Sequence, residues 1–278
     1  MKTIKLNSGH EIPYFGYGTW QTPEDEAQKA VEHAIRIGFN HIDTAAFYQN
    51  EQAVGQGIHH SGVRREDIFL TTKVWNTERG YNRTRRSFEE SLRKLDTPYV
   101  DLYLIHWPAN PFQFDNWKEI NLDTWRALED LQQEGLVRSI GVSNFMPRHL
   151  KPLMEKARIM PAVNQIEYHP GWMQKECVDF CQKNGITVEG WSPLAQGDVF
   201  KVPLLQQMSQ KYGKSITQIV LSWVMACGVI PLSKSVTPSR IEENFQSMEL
   251  CLEKEDIEKI NSLDCNIGKC RNPDLVNY

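Results

Sequence analysis

Short apolar runs rich in β-branched and aromatic residues alternate along this chain with stretches whose apolar positions recur every three or four residues. The first pattern fits a buried strand and the second an amphipathic helix. Eight strand candidates fall at residues 15–18, 41–44, 68–73, 99–106, 139–143, 163–167, 187–191 and 229–232. Ahead of them, residues 3–6 and 11–14 read as a small hairpin, with Asn7, Ser8 and Gly9 supplying the turn. The helical pattern over 22–38 opens with Thr22 as N-cap, Pro23 at the first helical position and acids in the first turn, and it stops at Gly38. Further helical stretches cover 84–96, 122–135, 202–213, 215–228 and 240–252.

A strand-then-helix alternation with eight strands predicts an α/β fold: one (β/α)₈ TIM barrel over residues 1–278, its bottom closed by the hairpin. Its active-site loops belong at the C-terminal face of the strands. A doubly wound sheet is the competitor. It loses ground because no G-x-G-x-x-G joins a strand to a helix. The Gly16–Gly18 pair has Gln21 where the third glycine belongs, and the Gly55–Gly57 pair has His60.

Composition narrows the partners. The chain has 278 residues, a size at which one barrel domain is ordinary. A net charge of −4 gives no global attraction to nucleic acid or to a membrane surface. The six cysteines form no C-x-x-C pair, and Cys177 and Cys181 share one helix face by their spacing. The first residues carry no apolar signal core, and no run of about 18 apolar residues occurs. These features predict a cytoplasmic monomer with a small-molecule partner. The residues from about Cys265 to Tyr278 read as a polar tail packed over the rest.

Four residue types then stand out. Asp43, Lys73 and His106 close the second, third and fourth apolar runs, and Tyr48 follows Asp43 by one short loop. A barrel would gather them at one mouth. An ammonium beside a phenol favours the phenolate and so lowers the phenol's pKa, which improves it as a proton donor. The carboxylate would keep the ammonium charged, and the imidazole would orient a substrate oxygen. Each residue has an ordinary reading too: a helix cap for Asp43, a packing ring for Tyr48, a solvated amine for Lys73, a core imidazole for His106. Four such types at neighbouring strand ends are harder to explain that way. A metal-dependent hydrolase built on His41, Asp43, His59, His60, His106 and His169 fits worse, because their spacings match no ligand pattern.

These residues sit in segments that resemble the aldo-keto reductase superfamily over nearly the whole chain. "GFNHIDTAAFYQNEQAVG", "GLVRSIGVSNF" and "SKSVTPSRIEENF" are similar to its three signatures, and "TTKVW" and "LIHWP" match the Lys and His contexts. The lengths resemble the bacterial and protozoan branch that includes diketo-gluconate reductase and prostaglandin F synthase-like enzymes. The resemblance implies NADPH-dependent reduction of aldehydes and ketones, with NADH as the less favoured cofactor. It implies a catalytic tetrad of Asp43, Tyr48, Lys73 and His106, with Tyr48 as the acid. Ser143, Asn144 and Gln165 would hold the carboxamide and Trp191 would stack on the nicotinamide. Ser192, Pro193, Leu194 and Gln196 would line the pyrophosphate, and Gly18, Thr19 and Trp20 would edge the nicotinamide end. Lys234, Ser235, Val236, Thr237 and Arg240 would surround the 2′-phosphate, a task suited to an Arg fork and a Lys point charge. Glu243 and Asn244 would reach the adenine.

The chain departs from the family pattern at three places. Asn40 stands where Arg is usual, Leu232 and Ser233 where a branched residue and Pro usually precede the Lys, and Trp191 where many members have Tyr. Trp20, Phe47, Trp75, His106 and Trp107, with Trp172 as a further candidate, are expected to rim the substrate pocket. Loops at 109–121 and 268–278 are expected to cover it. A cofactor-holding sensor with little turnover is the second functional reading.

Overall fold

The computed structural model describes every residue except 266, 270, 277 and 278. It opens with β1 (Thr3–Lys5) and β2 (Glu11–Pro13), paired antiparallel with Ile4 opposite Ile12. The turn between them needs Gly9 at φ +90° and is closed by Leu6 N donating to His10 O at 2.8 Å.

Strands and helices then alternate: β3 (Gly16–Gly18), α1 (Glu24–Ile37), β4 (His41–Asp43), α2 (Glu51–His60), β5 (Phe69–Val74), α3 (Tyr81–Leu95), β6 (Val100–Ile105) and α4 (Trp117–Gln133). The second half runs β7 (Val137–Ser143), α5 (Pro147–Met154), β8 (Val163–Glu167), α6 (Lys175–Lys183), β9 (Thr187–Trp191), α7 (Pro203–Tyr212), α8 (Ile216–Ala226), β10 (Ile230–Ser233), α9 (Pro238–Gln246) and α10 (Lys254–Asn261). Strands β3 to β10 are all parallel, each pairing with the next, and β10 pairs back on β3 to close the barrel. This is the expected (β/α)₈ barrel.

Alternation along the strands sorts the side chains. Outward residues such as Ile42, Leu70, Tyr103, Val142 and Val188 join the helices in one continuous core with Phe88, Trp125 and Trp223. Inward residues form layers. The lowest is apolar: Phe69, Leu102, Leu104, Val163 and Ile230 pack against Leu6 and Ile12, so the hairpin region plugs the bottom. Above it the lining turns polar.

Most predicted helices are found, with shifted ends. Helix α1 begins at Glu24 with Pro23 as its N-cap, one residue later than expected. Thr22 is therefore not the cap, and its buried Oγ1 makes no hydrogen bond. The stretch predicted over 240–252 is divided, since α9 ends at Gln246 and a 3₁₀ turn follows at Ser247–Glu249. Helices α2, α5, α6 and α10 were not among the predicted stretches. In α2 the packing face includes glycine rather than a stripe of leucines: a Cβ on Gly55 would lie 2.4 Å from Leu95 O, and one on Gly57 2.7 Å from Gln28 O. Close backbone approach replaces the periodic apolar signal.

Helix α8 carries a capping box, with Gln218 N donating to Ser215 Oγ and Ser215 N to Gln218 Oε1, both at 3.2 Å. Ser215→Ala is expected to cost about 1 kcal/mol. Thermal unfolding followed by circular dichroism should show a midpoint lower by about 2–4 °C.

Candidate active site

The site starts from an amine with nowhere else to go. Lys73 projects inward from β5 and is wholly buried. Its three donors reach Asp43 Oδ1 at 2.7 Å, Thr44 O at 2.9 Å and Tyr48 Oη at 3.2 Å. An ammonium has three hydrogens, so all are committed. Asp43 ends the neighbouring strand β4. Tyr48 ends a single 3₁₀ turn, Ala46–Tyr48, after which Gln49 takes a left-handed conformation at φ +57°. Asn50 straps this loop to the one before α1. Its Nδ2 donates to Thr19 O at 2.9 Å and Thr22 O at 3.1 Å, and its Oδ1 accepts from Thr44 Oγ1 at 3.0 Å. His106 follows β6 directly. Its ring meets Trp75 and Tyr48 edge-on at centroid distances of 5.0 and 5.6 Å.

Burial is the largest influence on Lys73 and pulls its pKa down. Asp43 and Tyr48 together outweigh it, so the amine is held above its ordinary value and stays charged. For Tyr48 the expectation of an acidified phenol needs correcting. Lys73 does lower the phenol, but burial raises it more and Asp43 adds to the rise, so the net shift is upward. The hydroxyl keeps its proton at neutral pH with the ammonium beside it. Burial, and then the charge of Lys73, push His106 well below its ordinary value, so the imidazole is neutral. Its buried Nδ1 has no hydrogen-bond partner.

One layer deeper lie two further titratable groups. Glu189 of β9 and His41 of β4 are both fully buried, with His41 Nε2 and Glu189 Oε1 3.3 Å apart but not aligned as a hydrogen bond. Burial, helped by Asp43, pushes Glu189 up to about 8. Burial pushes His41 down to about 3. Both are therefore neutral near pH 7, so the Asp43–Lys73 pair stands among uncharged neighbours at this depth.

Above these groups opens a cavity of about 470 Å³. It gathers Asp43, Tyr48 and His106 with every expected rim residue: Trp20, Phe47, Trp75 and Trp107. Phe47 stacks between Trp75, at 3.7 Å between centroids, and Trp20, at 5.6 Å. Trp172 is not in the lining and pairs with His169 instead. Of the expected cofactor residues, Gly18, Trp20, Ser143, Asn144, Gln165, Trp191, Ser192, Pro193, Leu194, Gln196 and Lys234 line the cavity. Thr19 does not. It is buried and its hydroxyl donates to Asp43 O at 3.0 Å. Ser235, Val236, Thr237, Arg240, Glu243 and Asn244 lie outside the lining, on the loop after β10 and on α9.

The lining is held in place by hydrogen bonds and local strain. Trp191 Nε1 donates to Asn144 Oδ1 at 2.9 Å, and Asn144 Nδ2 donates to His106 O at 2.9 Å. Asn144, Ser192, Ala195 and Gln196 all adopt positive φ, between +47° and +64°. A non-glycine residue in that region stores strain, and such residues concentrate at functional sites. Gly18 leaves room of a different kind: a Cβ there would meet nothing nearer than Ser233 O at 3.8 Å, so a side chain would fill the cavity rather than strike the wall.

Sequence reasoning did not assign Gln21, Gly197, Phe200, Leu232, Ser233, Lys269 and Arg271 to the lining, although all belong to it. Lys269 and Arg271 come from the loop at 268–278, which was expected to cover the pocket although none of its residues was singled out. The carboxylate of Glu167, at the end of β8, accepts from the main-chain N–H of Lys269 at 3.0 Å and of Arg271 at 3.2 Å. Asp274 in the tail is bound by His149 Nε2 at 2.7 Å and by Arg148. The loop at 109–121 contributes no lining residue. It braces the tail instead, Asn110 donating to Pro273 O at 3.2 Å and Gln113 to Val276 O at 2.6 Å. Five cysteines are described and all are free thiols, Cys177 and Cys181 sharing the buried face of α6 as their spacing implied. Cys270, Asn277 and Tyr278 lie outside the described residues.

Residues 14–264 match the Aldo/keto reductase family. The chain belongs to that family. The reductase is 45% identical to a glyoxal reductase of Bacillus subtilis over 98% of its own length and 96% of the relative's. It is 41% identical to the methylglyoxal reductase DkgA of Salmonella typhimurium, again over 98% and 96%. Among solved structures, a Bombyx mori aldo-keto reductase in complex with NADP superposes with a TM-score of 0.86 at 38% identity, covering 94% of this chain and 92% of that one.

The neutral Glu189 of this reductase makes stability depend on pH. Unfolded, the carboxyl loses its proton near 4.5; folded, it keeps it to about 8. The unfolded chain therefore holds fewer protons between those values, and stability falls as pH rises through the window. Glu189→Gln should flatten the decline. Melting temperatures measured from about pH 6 to about pH 9 are expected to drop less in the variant than in the wild type.

Proposed function

We propose that the chain reduces aldehydes and ketones to alcohols with NADPH, working as a single domain of 278 residues with Tyr48 as proton donor. The observation that carries this reading is the contact of Tyr48 Oη with Lys73 Nζ at 3.2 Å, inside an aromatic-walled cavity and backed by the 2.7 Å Lys73–Asp43 pair. When bound, the cofactor supplies the hydride that reduces the carbonyl carbon. The chain's own residues supply the rest. Tyr48 gives its proton to the carbonyl oxygen, and the phenolate left behind is stabilised by the adjacent ammonium. Asp43 keeps that ammonium in place. Neutral His106 offers a hydrogen bond that orients the oxygen, and Trp20, Phe47 and Trp75 exclude water.

The wall of the cavity fits the cofactor. Gly18 leaves space, Trp191 presents a hydrogen-bonded, flat indole, and the strained turn after β9 turns Ser192, Pro193, Leu194 and Gln196 into the lining. We assign the carboxamide to Ser143, Asn144 and Gln165. The 2′-phosphate falls to Lys234, Ser235, Val236, Thr237 and Arg240, and the adenine to Glu243 and Asn244. Lys234 stretches over the cavity, donating to Gln21 O at 3.1 Å, and burial pulls its pKa down. Thr19 acts by fixing the Asp43 backbone. The bacterial relatives' names point to short α-dicarbonyl compounds as substrates. The reading extends to a cytoplasmic monomer. Among the described residues, no helix is long and apolar enough to cross a membrane.

Tyr48→Phe is expected to lower kcat by about 10²–10⁴-fold with glyoxal or methylglyoxal while NADPH affinity holds, as read from cofactor absorbance and from fluorescence titration. Undiminished turnover would refute the proton-donor assignment. Lys234→Met and Arg240→Leu should each weaken NADPH binding by about tenfold or more and leave NADH binding nearly unchanged. Equal losses for both cofactors would remove the 2′-phosphate role.

A further inference from the structure

Gln165 and Glu189 are register partners on β8 and β9, both pointing into the barrel. The Gln165 amide nitrogen donates to Asp43 Oδ2 and to Glu189 Oε2, each at 2.9 Å. A side-chain amide nitrogen has two hydrogens, so both are spent on carboxyl groups. The polar atom left for the cavity, which Gln165 lines, is Oε1, a pure acceptor.

Glu189 is out of reach of any ligand. It is fully buried and absent from the cavity lining. It also has no cation of its own among the described residues. The nearby ammonium, Lys73, is engaged by Asp43, and the neighbouring imidazole, His41, is neutral. A barrel interior at this depth is ordinarily packed with branched apolar side chains, and burying a carboxyl there is costly. The structure gives that group one well-formed hydrogen bond, from Gln165.

We infer that Glu189 is a positioning residue that fixes the Gln165 amide plane, so that Gln165 presents its carbonyl oxygen to the carboxamide NH₂ of the nicotinamide. The inference rests on the reading that Gln165 meets the carboxamide. Asp43 alone holds one N–H. With the second unspent, the amide can rotate about that single bond and turn an N–H toward the cavity. The ligand's NH₂ would then face a donor instead of an acceptor.

The test is NADPH affinity, measured by quenching of tryptophan fluorescence, in a set of variants whose folding is checked by circular dichroism. Glu189→Leu should weaken binding by about tenfold, a single lost hydrogen bond of about 1 kcal/mol or slightly more. Glu189→Gln, whose amide oxygen can still accept from Gln165, should bind within about twofold of wild type. Gln165→Ala should lose affinity by itself, and adding Glu189→Leu to it should cost nothing further, because the residue to be positioned is gone. Should the Glu189→Leu chain fail to fold, Glu189→Thr takes its place, its hydroxyl being too short to stand in for the carboxyl. Wild-type affinity in Glu189→Leu together with a loss in Gln165→Ala overturns the positioning role and leaves the Gln165 assignment standing. Losses that add in the double variant also overturn it. Wild-type affinity in Gln165→Ala overturns both.

Discussion

A lysine ammonium sealed inside a barrel is the constraint around which the molecule is arranged. Taking such a charge out of water is expensive, and it persists only because Asp43, the Thr44 carbonyl and the Tyr48 hydroxyl use every donor it has. Each partner must then be held where it is. Strand register supplies Asp43. The Asn50 strap supplies the Tyr48 loop by tying it to the turn ahead of α1. The surrounding neutral groups, His41, His106 and Glu189, follow from the same economy: a second net charge beside the first would lack a partner. Around Lys73 the ammonium is thus balanced by the Asp43 carboxylate, beside several groups kept uncharged by burial.

The barrel separates two tasks along its axis. The bottom is a dry plug of Leu6, Ile12 and the first inward residue of several strands, and it contributes cohesion. The top is polar, strained at Asn144, Ser192, Ala195 and Gln196, and open to a cavity. Strain of that kind is tolerated because the strands beneath are locked on both edges by their neighbours.

What the sequence made legible follows from which signals are local. The strands were readable because each is a dense apolar run, and the strand-end positions of Asp43 and His106 came with them. Helices with a leucine-rich stripe, such as α4, announced themselves, whereas α2 packs through Gly55 and Gly57 and carries little periodicity. The rim residues Trp20, Phe47, Trp75 and Trp107 were found because they neighbour the strand ends. Gln21 and Phe200 escaped because their place depends on loop conformation, Gln21 through a positive φ that its residue type does not advertise. The direction of the Tyr48 shift escaped for another reason. Proximity to an ammonium can be guessed from spacing, but the depth of burial that outweighs it is a property of the assembled fold.

The C-terminal tail is moored to Glu167 through main-chain amides, not through side chains. Burial works against that carboxylate, yet His169 and the two amides together hold its pKa below the ordinary range, so the mooring stays ionised. An anchor of this kind asks of positions 269 and 271 only a main-chain N–H, which proline alone cannot give. Evolution, or a protein engineer, can exchange the Lys269 side chain that faces the cavity and leave its main-chain fastening intact, so selectivity at the mouth is able to drift while the architecture that carries it stands still.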